Sequence, residues 1–298
     1  MRHRKTLQEL TIRDNFMFAA AMLDERICKG VLERALDMPL KSVRVLVENT
    51  LIYHPEQKGV RLDVLAEDAK HTRFNVEMQV ANREIFKRSR YYHSQIDMDM
   101  LLCGQEYEKL SDSYVIFICD YDPVGLGKYR YTLKKSYREA ENIMHEDGSH
   151  TVYLSTKGQN AEEVPEELSN FLNWVGAATA DDPETEDAEQ QDEFVRYCQR
   201  KVKQIKLDRE MRGRYMLFEE MMKDEYKEGK EAGIKEGITK SKIADILSFL
   251  NEKGNVSPEL KTKIKNLKDE QKLSELVKCA VLAESIEEFE EQIEKMSN

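Results

Sequence analysis

The sequence predicts a mixed α/β domain followed by an all-helical region. Three observations carry this. Over residues 12–175, segments with period-two apolar alternation interleave with segments of helical periodicity. Residues 114–119, YVIFIC, are a continuous apolar run of strand length, as expected of a central strand covered on both faces. Beyond residue 193 every segment reads as helix, rich in Lys, Glu, Met and Arg. Between the two regions lies DDPETEDAEQQDE, residues 181–193, with low hydrophobicity and a proline, which reads as a solvated linker.

Taken in order, residues 12–37 are expected to form a helix with Phe16, Ala20, Leu23, Ile27, Val31 and Leu36 near one face. Pro39 follows its end. Val43, Val45 and Val47 alternate as a strand, and a hairpin over 60–80 turns at Asp68 to His71. Residues 83–109 read as one long helix with Arg83, Lys87, Arg88 and Arg90 in its first half. Strands are expected at 114–119, 128–133 and 150–155, then a helix at 164–175 bearing the only tryptophan, Trp174. Past the linker, 194–240 is a charged helix in which Gly229, Gly233 and Gly237 recur every four residues. Glycine costs roughly 1 kcal/mol in a helix, so the stripe is either a surface for self-association or part of a weak, solvated helix. Residues 241–298 read as a small bundle, with a Ser257-Pro258 start and a capping box from Ser285 to Glu288. The expected divisions are 1–180, the linker 181–193, the helix 194–240 and the bundle 241–298.

The hairpin carries the chemistry. Leu62, Val64 and Ala66 alternate with Arg61, Asp63 and Leu65; Phe74, Val76, Met78 and Val80 alternate with Asn75, Glu77 and Gln79. Matching the apolar faces pairs even positions with even, because a one-residue slip turns one set over. A register centred on residue 70 pairs Leu62 with Met78, Val64 with Val76 and Asp63 with Glu77. Opposed carboxylates cost roughly 0.2–1 kcal/mol, and more when desolvated. A divalent cation between them removes that penalty, and oxygen-rich sites suit Mg²⁺ or Mn²⁺. The plainer alternative is a half-exposed hairpin with a solvated polar face.

Composition narrows the class. The chain has 298 residues, 40% of them hydrophobic, enough for a core, and a net charge of −11. The 181–193 stretch alone holds eight acids and no base, so the rest is close to neutral and nucleic-acid binding stays open. Five scattered cysteines form no CxxC pair and no zinc spacing, as in a reduced cytosolic protein. The N-terminal MRHRKTLQEL has no apolar signal region, and no apolar run approaches the roughly 18 residues of a membrane span, so a cytoplasmic location without membrane association is expected.

The order helix, strand, acid-bearing strand, Glu-x-Gln strand, basic helix, apolar strand resembles the PD-(D/E)XK nuclease superfamily. More closely it resembles the Rpn family of recombination-promoting nucleases, or putative transposases. The matching segments are RDNFMF at 13–18, VRLDV at 60–64, NVEMQ at 75–79, RSRYYHSQIDMDML at 88–101 and YVIFICDYDPVGLGKYRYT at 114–132. The resemblance covers most of 10–240. It implies a restriction-endonuclease-like core, a mixed central sheet flanked by helices, with a helical C-terminal extension.

By that resemblance Asp63 is the metal-binding aspartate and Glu77 the glutamate of the (D/E)XK motif. Gln79 stands at the lysine position, a departure familiar in this branch. An upstream acid often completes such sites; Glu33 is the candidate and Asp14 the rival. The implied activity is Mg²⁺- or Mn²⁺-dependent hydrolysis of DNA phosphodiesters, leaving a 5′-phosphate and a 3′-hydroxyl, in recombination or a mobile-element-like role. Arg83, Lys87 and Arg90 share about one helical face and are candidate phosphate contacts, against a plain solvated face. Gln95 sits where related nucleases place a helix glutamine near the site. Tyr91 and Tyr92 read as core before base-stacking groups, Lys134 and Lys135 as surface lysines before phosphate contacts, and His93 as structural. The runner-up is a nuclease-fold protein that binds DNA or a partner without cutting.

Overall fold

The computed structural model describes residues 5–46, 50–51, 60–61, 63–82, 84–101, 103–179 and 192–297. Val47, Leu62, Arg83 and most of the acidic stretch, 180–191, lie outside these.

The expected first helix is two, α1 (Asn15–Met22) and α2 (Glu25–Leu36). The apolar periodicity runs through the break, so pattern alone does not show it. Asp24 makes the break: its carboxylate accepts from the amides of Arg26 and Ile27 and caps α2. Leu23, expected on the buried face, is exposed at the junction.

Strands β1 (Val43–Leu46), β2 (Thr50–Leu51), β3 (Val60–Arg61), β4 (Val64–Asp68) and β5 (Arg73–Gln79) follow. Helix α3 (Ile85–Met100) is shorter than the 83–109 expected. Glu84 caps its start through the Lys87 amide, and beyond its end Gly104 takes φ +84°, which turns the chain away. Next come β6 (Ser113–Cys119), β7 (Arg130–Thr132), β8 (Ser136–Tyr137), β9 (Ala140–Met144), β10 (Ser149–Ser155) and α4 (Glu166–Ala177). The β8–β9 ribbon was not legible in the sequence: it is short and largely exposed, so it needs no apolar alternation.

The main sheet has six strands in the order β1-β4-β5-β6-β10-β7. β5, β6 and β10 run parallel, and β1, β4 and β7 complete the sheet antiparallel. YVIFIC falls in β6, at the centre and buried on both faces. Helix α3 covers one face, packing Ile85, Tyr92 and Ile96 onto Leu65, Val115, Phe117, Cys119 and Tyr153. Each such side chain contributes about 1.5–3 kcal/mol by leaving water. On the other face Val64, Ala66, Phe74, Val76, Met78, Ile116 and Ile118 are buried, and α2 reaches the sheet at β1 and β10.

The chain divides into two compact units, Met1–Tyr215 and Met216–Asn298. Helix α5 (Glu193–Leu207) belongs to the first, packed on α1, α2 and α4. Asp192, the last residue before it, caps α5 through the Phe194 amide and pairs with Arg34 at 3.1 Å. The Phe194 ring lies so close to Gly30 of α2 that a Cβ there has no room. The folded first unit therefore takes up the end of the stretch expected to be linker.

Helix α6 (Arg209–Lys253) starts at an Asp208 cap. In the second unit its last turns, with α7 (Pro258–Lys265), α8 (Glu270–Leu282) and α9 (Ile286–Ser297), enclose Ile246, Leu250, Leu260, Ile264, Leu273, Leu276 and Phe289. Ser257 Oγ accepts from the Leu260 amide ahead of Pro258. Ser285 Oγ accepts from the Glu288 amide, but the Glu288 carboxylate reaches back to the Glu284 amide, one residue further than a capping box requires. A Cβ on Gly229, Gly233 or Gly237 meets nothing within 4 Å, so no described part of the chain covers that stripe.

Candidate active site

The hairpin register is the one the parity argument requires. Val64 pairs with Val76, Leu65 with Asn75, Ala66 with Phe74 and Glu67 with Arg73. Asp63 lies one residue before β4. Its amide donates to Glu77 Oε1 at 3.1 Å, and the Met78 amide donates to Asp63 Oδ2 at 3.3 Å. The two carboxylates thus lie beside each other, Glu77 bonded to the Asp63 amide and Asp63 to the amide of Met78, the residue after Glu77. The partner expected for Met78, Leu62, lies outside the described residues.

The acid-bearing face is not a solvated one. Helix α3 lies over it, leaving Asn75 at 0% and Glu77 at 1% exposure, with Gln79 also buried. Glu77 is met by four donors. Oε1 accepts from the Asp63 amide and from Asn75 Nδ2 at 3.3 Å; Oε2 accepts from Arg88 Nη2 at 2.9 Å and from the Tyr92 hydroxyl at 3.4 Å. Burial, then the neighbouring Asp63 charge, push the Glu77 carboxyl well above the usual carboxylate range, while the Asp63 amide, Arg88 and Asn75 pull it back. Asn75 Oδ1 is fully buried and has no hydrogen-bond partner among the described residues.

Arg88 is the residue that sequence reasoning missed. It was one of four bases on a helix, and the candidate DNA face left it out. In the structure its guanidinium turns inward. Nη1 donates to Gln79 Oε1 at 2.8 Å, Nη2 to Glu77, and Nε to the Tyr92 hydroxyl at 3.1 Å. The same group lies 5.2 Å from the Tyr92 ring centre and 5.5 Å from that of Phe117. One signal was available: Arg88 and Tyr92 are spaced i,i+4, and Ile85, Tyr92 and Ile96 mark the buried face of that helix. Gln79 is held at both ends of its amide, Oε1 by Arg88 and Nε2 by donation to the Met78 carbonyl at 3.0 Å.

The remaining candidates are placed as follows. Glu33 is not brought to Asp63 and Glu77. Its carboxylate takes Lys29 Nζ at 2.8 Å and the Leu40 amide at 2.9 Å, closing the end of α2. Asp14 is equally occupied, by the Thr11 amide and hydroxyl and by Lys5. Among the described residues, no group of three His, Cys, Asp or Glu side chains is placed to hold a metal ion. Lys87 and Arg90 are exposed on α3, and Arg83 lies outside the described residues. Gln95 is buried, about two turns beyond Arg88. Tyr92 is core, stacked on Phe117 at 6.1 Å. His93 is structural, its ring nitrogens on Ser113 Oγ and Thr151 Oγ1 at 2.8 and 3.0 Å. Lys135 is paired with Asp147 at 2.7 Å.

A second charged cluster borders the site. The Asp120 amide donates to the Gln79 carbonyl at 2.9 Å, just past the ends of β5 and β6. The Asp120 carboxylate accepts from Arg13, Lys157 and Thr156, and Arg13 also reaches the Ala178 carbonyl. RDNFMF therefore contributes an arginine that ties the chain's start to the strand end carrying Gln79.

The donors that a cation would meet are all oxygens: the Asp63 and Glu77 carboxylates and the Gln79 amide oxygen. That set fits a hard divalent ion, since Mg²⁺ is held by one or two carboxylates and keeps several waters. A family model of PD-(D/E)XK nuclease family transposases matches residues 16–232, and the chain belongs to that family. The match spans the sheet, α3 and the helices as far as residue 232 in α6, so of the glycine stripe it includes Gly229 and stops before Gly233 and Gly237. No curated protein and no solved structure matches the chain. No helix of the described residues is long and apolar enough to cross a membrane.

Proposed function

We propose that the protein is a divalent-metal-dependent DNA endonuclease, with a role in recombination or in a mobile-element-like process. The observation that carries this reading is the pair of adjacent carboxylates, Asp63 and Glu77, on the buried face of a PD-(D/E)XK sheet. Asp63 and Glu77 are the metal ligands in this reading, with Gln79 beside them. Glu33 is set aside as a ligand because its carboxylate serves α2. Asp63 and Glu77 would hold the Mg²⁺ or Mn²⁺ ion, which would supply Lewis-acid chemistry, acidifying a water and offsetting charge on the phosphoryl group.

The overall reaction is in-line displacement at phosphorus. A water oxygen forms the new P–O bond, the P–O3′ bond breaks with its electron pair going to O3′, and the water's proton ends on that oxygen. The products are a 5′-phosphate and a 3′-hydroxyl. Lys87 and Arg90, exposed on α3, are read as contacts to the DNA backbone; Arg83 precedes them in sequence, and Gln95 is read as packing because it is buried. Self-association through Gly229, Gly233 and Gly237 belongs to the same reading, because nothing described in the chain covers them.

The test is plasmid nicking with Mg²⁺ or Mn²⁺ by the full chain. Cutting by the wild type and a fall of at least about 100-fold in Asp63→Asn is expected. No Asp63-dependent cutting in Mg²⁺ or Mn²⁺ would sink the enzyme reading and leave the binding module.

A further inference from the structure

The lysine position of the motif is filled by Gln79, which is neutral. The site nevertheless contains a fixed cation, delivered by another element. We propose that Arg88, from α3, supplies the positive charge that position 79 lacks, contacting the scissile phosphate while Gln79 holds its guanidinium in place. The inference rests on the nuclease reading above and adds a catalytic residue to it.

Three observations support it. The first is charge: two carboxylates and one arginine give the same net charge as two carboxylates and one lysine. The second is anchoring. Arg88 is tied to Glu77 Oε2, Gln79 Oε1 and the Tyr92 hydroxyl, so its head is fixed against the acids with little rotamer freedom left. Gln79 is itself anchored on the Met78 carbonyl, which makes it a positioning residue for Arg88. The third is access. The Arg88 side chain keeps 31% exposure where Glu77 keeps 2%. A guanidinium has five N–H donors. Its contacts among the described residues are one from Nη1, one from Nε and those of Nη2 to Glu77 and Tyr92. An Nη1 hydrogen is left for a phosphoryl oxygen.

The geometry has a second consequence. Arg88 bonds Glu77 Oε2 and Gln79 Oε1, oxygens that would otherwise face a divalent ion. Guanidinium and metal compete for Glu77, so removing the guanidinium strengthens metal binding and weakens catalysis. A merely structural arginine does not produce that split, because its loss loosens the site and weakens both.

The experiment compares full-length wild type, Arg88→Met, Arg88→Lys and Asp63→Asn by plasmid nicking, Mn²⁺ calorimetry and thermal melting. Arg88→Met is expected to lose about 100- to 1,000-fold in kcat, the scale of one transition-state donor. Its Mn²⁺ affinity is expected to rise about two- to fivefold, the scale of a part-exposed ion pair. Arg88→Lys, which keeps the charge, is expected to recover at least about tenfold of the kcat lost in Arg88→Met. Wild-type kcat in Arg88→Met, no recovery in a folded Arg88→Lys, or weaker Mn²⁺ binding in Arg88→Met each overturns the proposal. Any of these alongside Asp63-dependent cutting leaves the nuclease reading standing. A wild type that neither cuts nor binds Mn²⁺ through Asp63 removes both.

Discussion

Glu67 and Asp63 sit on the same face of one hairpin, four residues apart, in opposite electrostatic surroundings. At the turn end Glu67 pairs with Arg73 at 3.0 Å and Arg44 at 3.8 Å and meets the His71 ring nitrogen at 2.9 Å. At the open end two carboxylates, Asp63 and Glu77, lie beside each other, and Arg88 pairs with Glu77 at 2.9 Å. The turn end is an ion-pair network that links β4 to β5. The open end sets Asp63 beside the buried Glu77, and burial together with that neighbouring charge makes the ionised Glu77 carboxyl costly. A carboxyl perturbed in this way marks the open end as the candidate site.

The comparison can be broken in graded ways. The largest effect is expected at the open end, where Asp63→Asn lowers Mg²⁺-dependent nicking by at least about 100-fold. Next comes acidification, read near the turn end. His93, which bonds Ser113 beside the Arg73 register position, is held down to about 4 by burial first and then by Lys135 and His150, against Asp147. The unfolded chain takes up that proton near pH 6.5 and the folded chain only near 4. Stability is therefore full above pH 6.5 and falls as pH drops toward 4, by on the order of 3 kcal/mol. Urea melts at pH 7 and pH 4.5 check this, and His93→Gln is expected to flatten the slope over that window.

Glu67→Gln comes third. It leaves the mostly buried Arg73 without its counter-charge and is expected to cost about 2 kcal/mol, less than a dry pair because His71 and Arg44 are solvated. The smallest effect has the opposite sign. Asp63→Asn removes a like charge beside Glu77 while keeping an acceptor for the Met78 amide, and is expected to stabilise the fold by about 1 kcal/mol in the same urea melts. Destabilisation by Asp63→Asn would mean that the open end, too, is a finished structural network.

The hairpin was legible because strand parity has only two answers, and burying Val64, Val76 and Met78 together selects one. YVIFIC was legible as the central strand because no polar residue interrupts it. Helix ends were less so. A break such as Asp24 is made by a single capping carboxylate inside a continuous apolar pattern, and the end of α3 by a glycine turn beyond it. A third ligand was hard to read for a related reason. Glu33 has the right residue type on the right helix, but a carboxylate near a helix end is readily claimed by local amides and lysines. Arg88 was hidden because a basic run reads as a solvated face. Only the packing of α3 on β5 and β6 shows that one of its bases turns inward.

Where strand pairing stops at Val64, side chains take over from the backbone, and Met78 N–H is held by Asp63 Oδ2 in place of a ladder carbonyl. That amide is therefore a built-in gauge of the aspartate. Its hydrogen-exchange rate and nitrogen chemical shift follow whether Asp63 is bonding inward to the strand or outward to a ligand. In a sheet this buried, it reports events at the site from a position that no ligand touches.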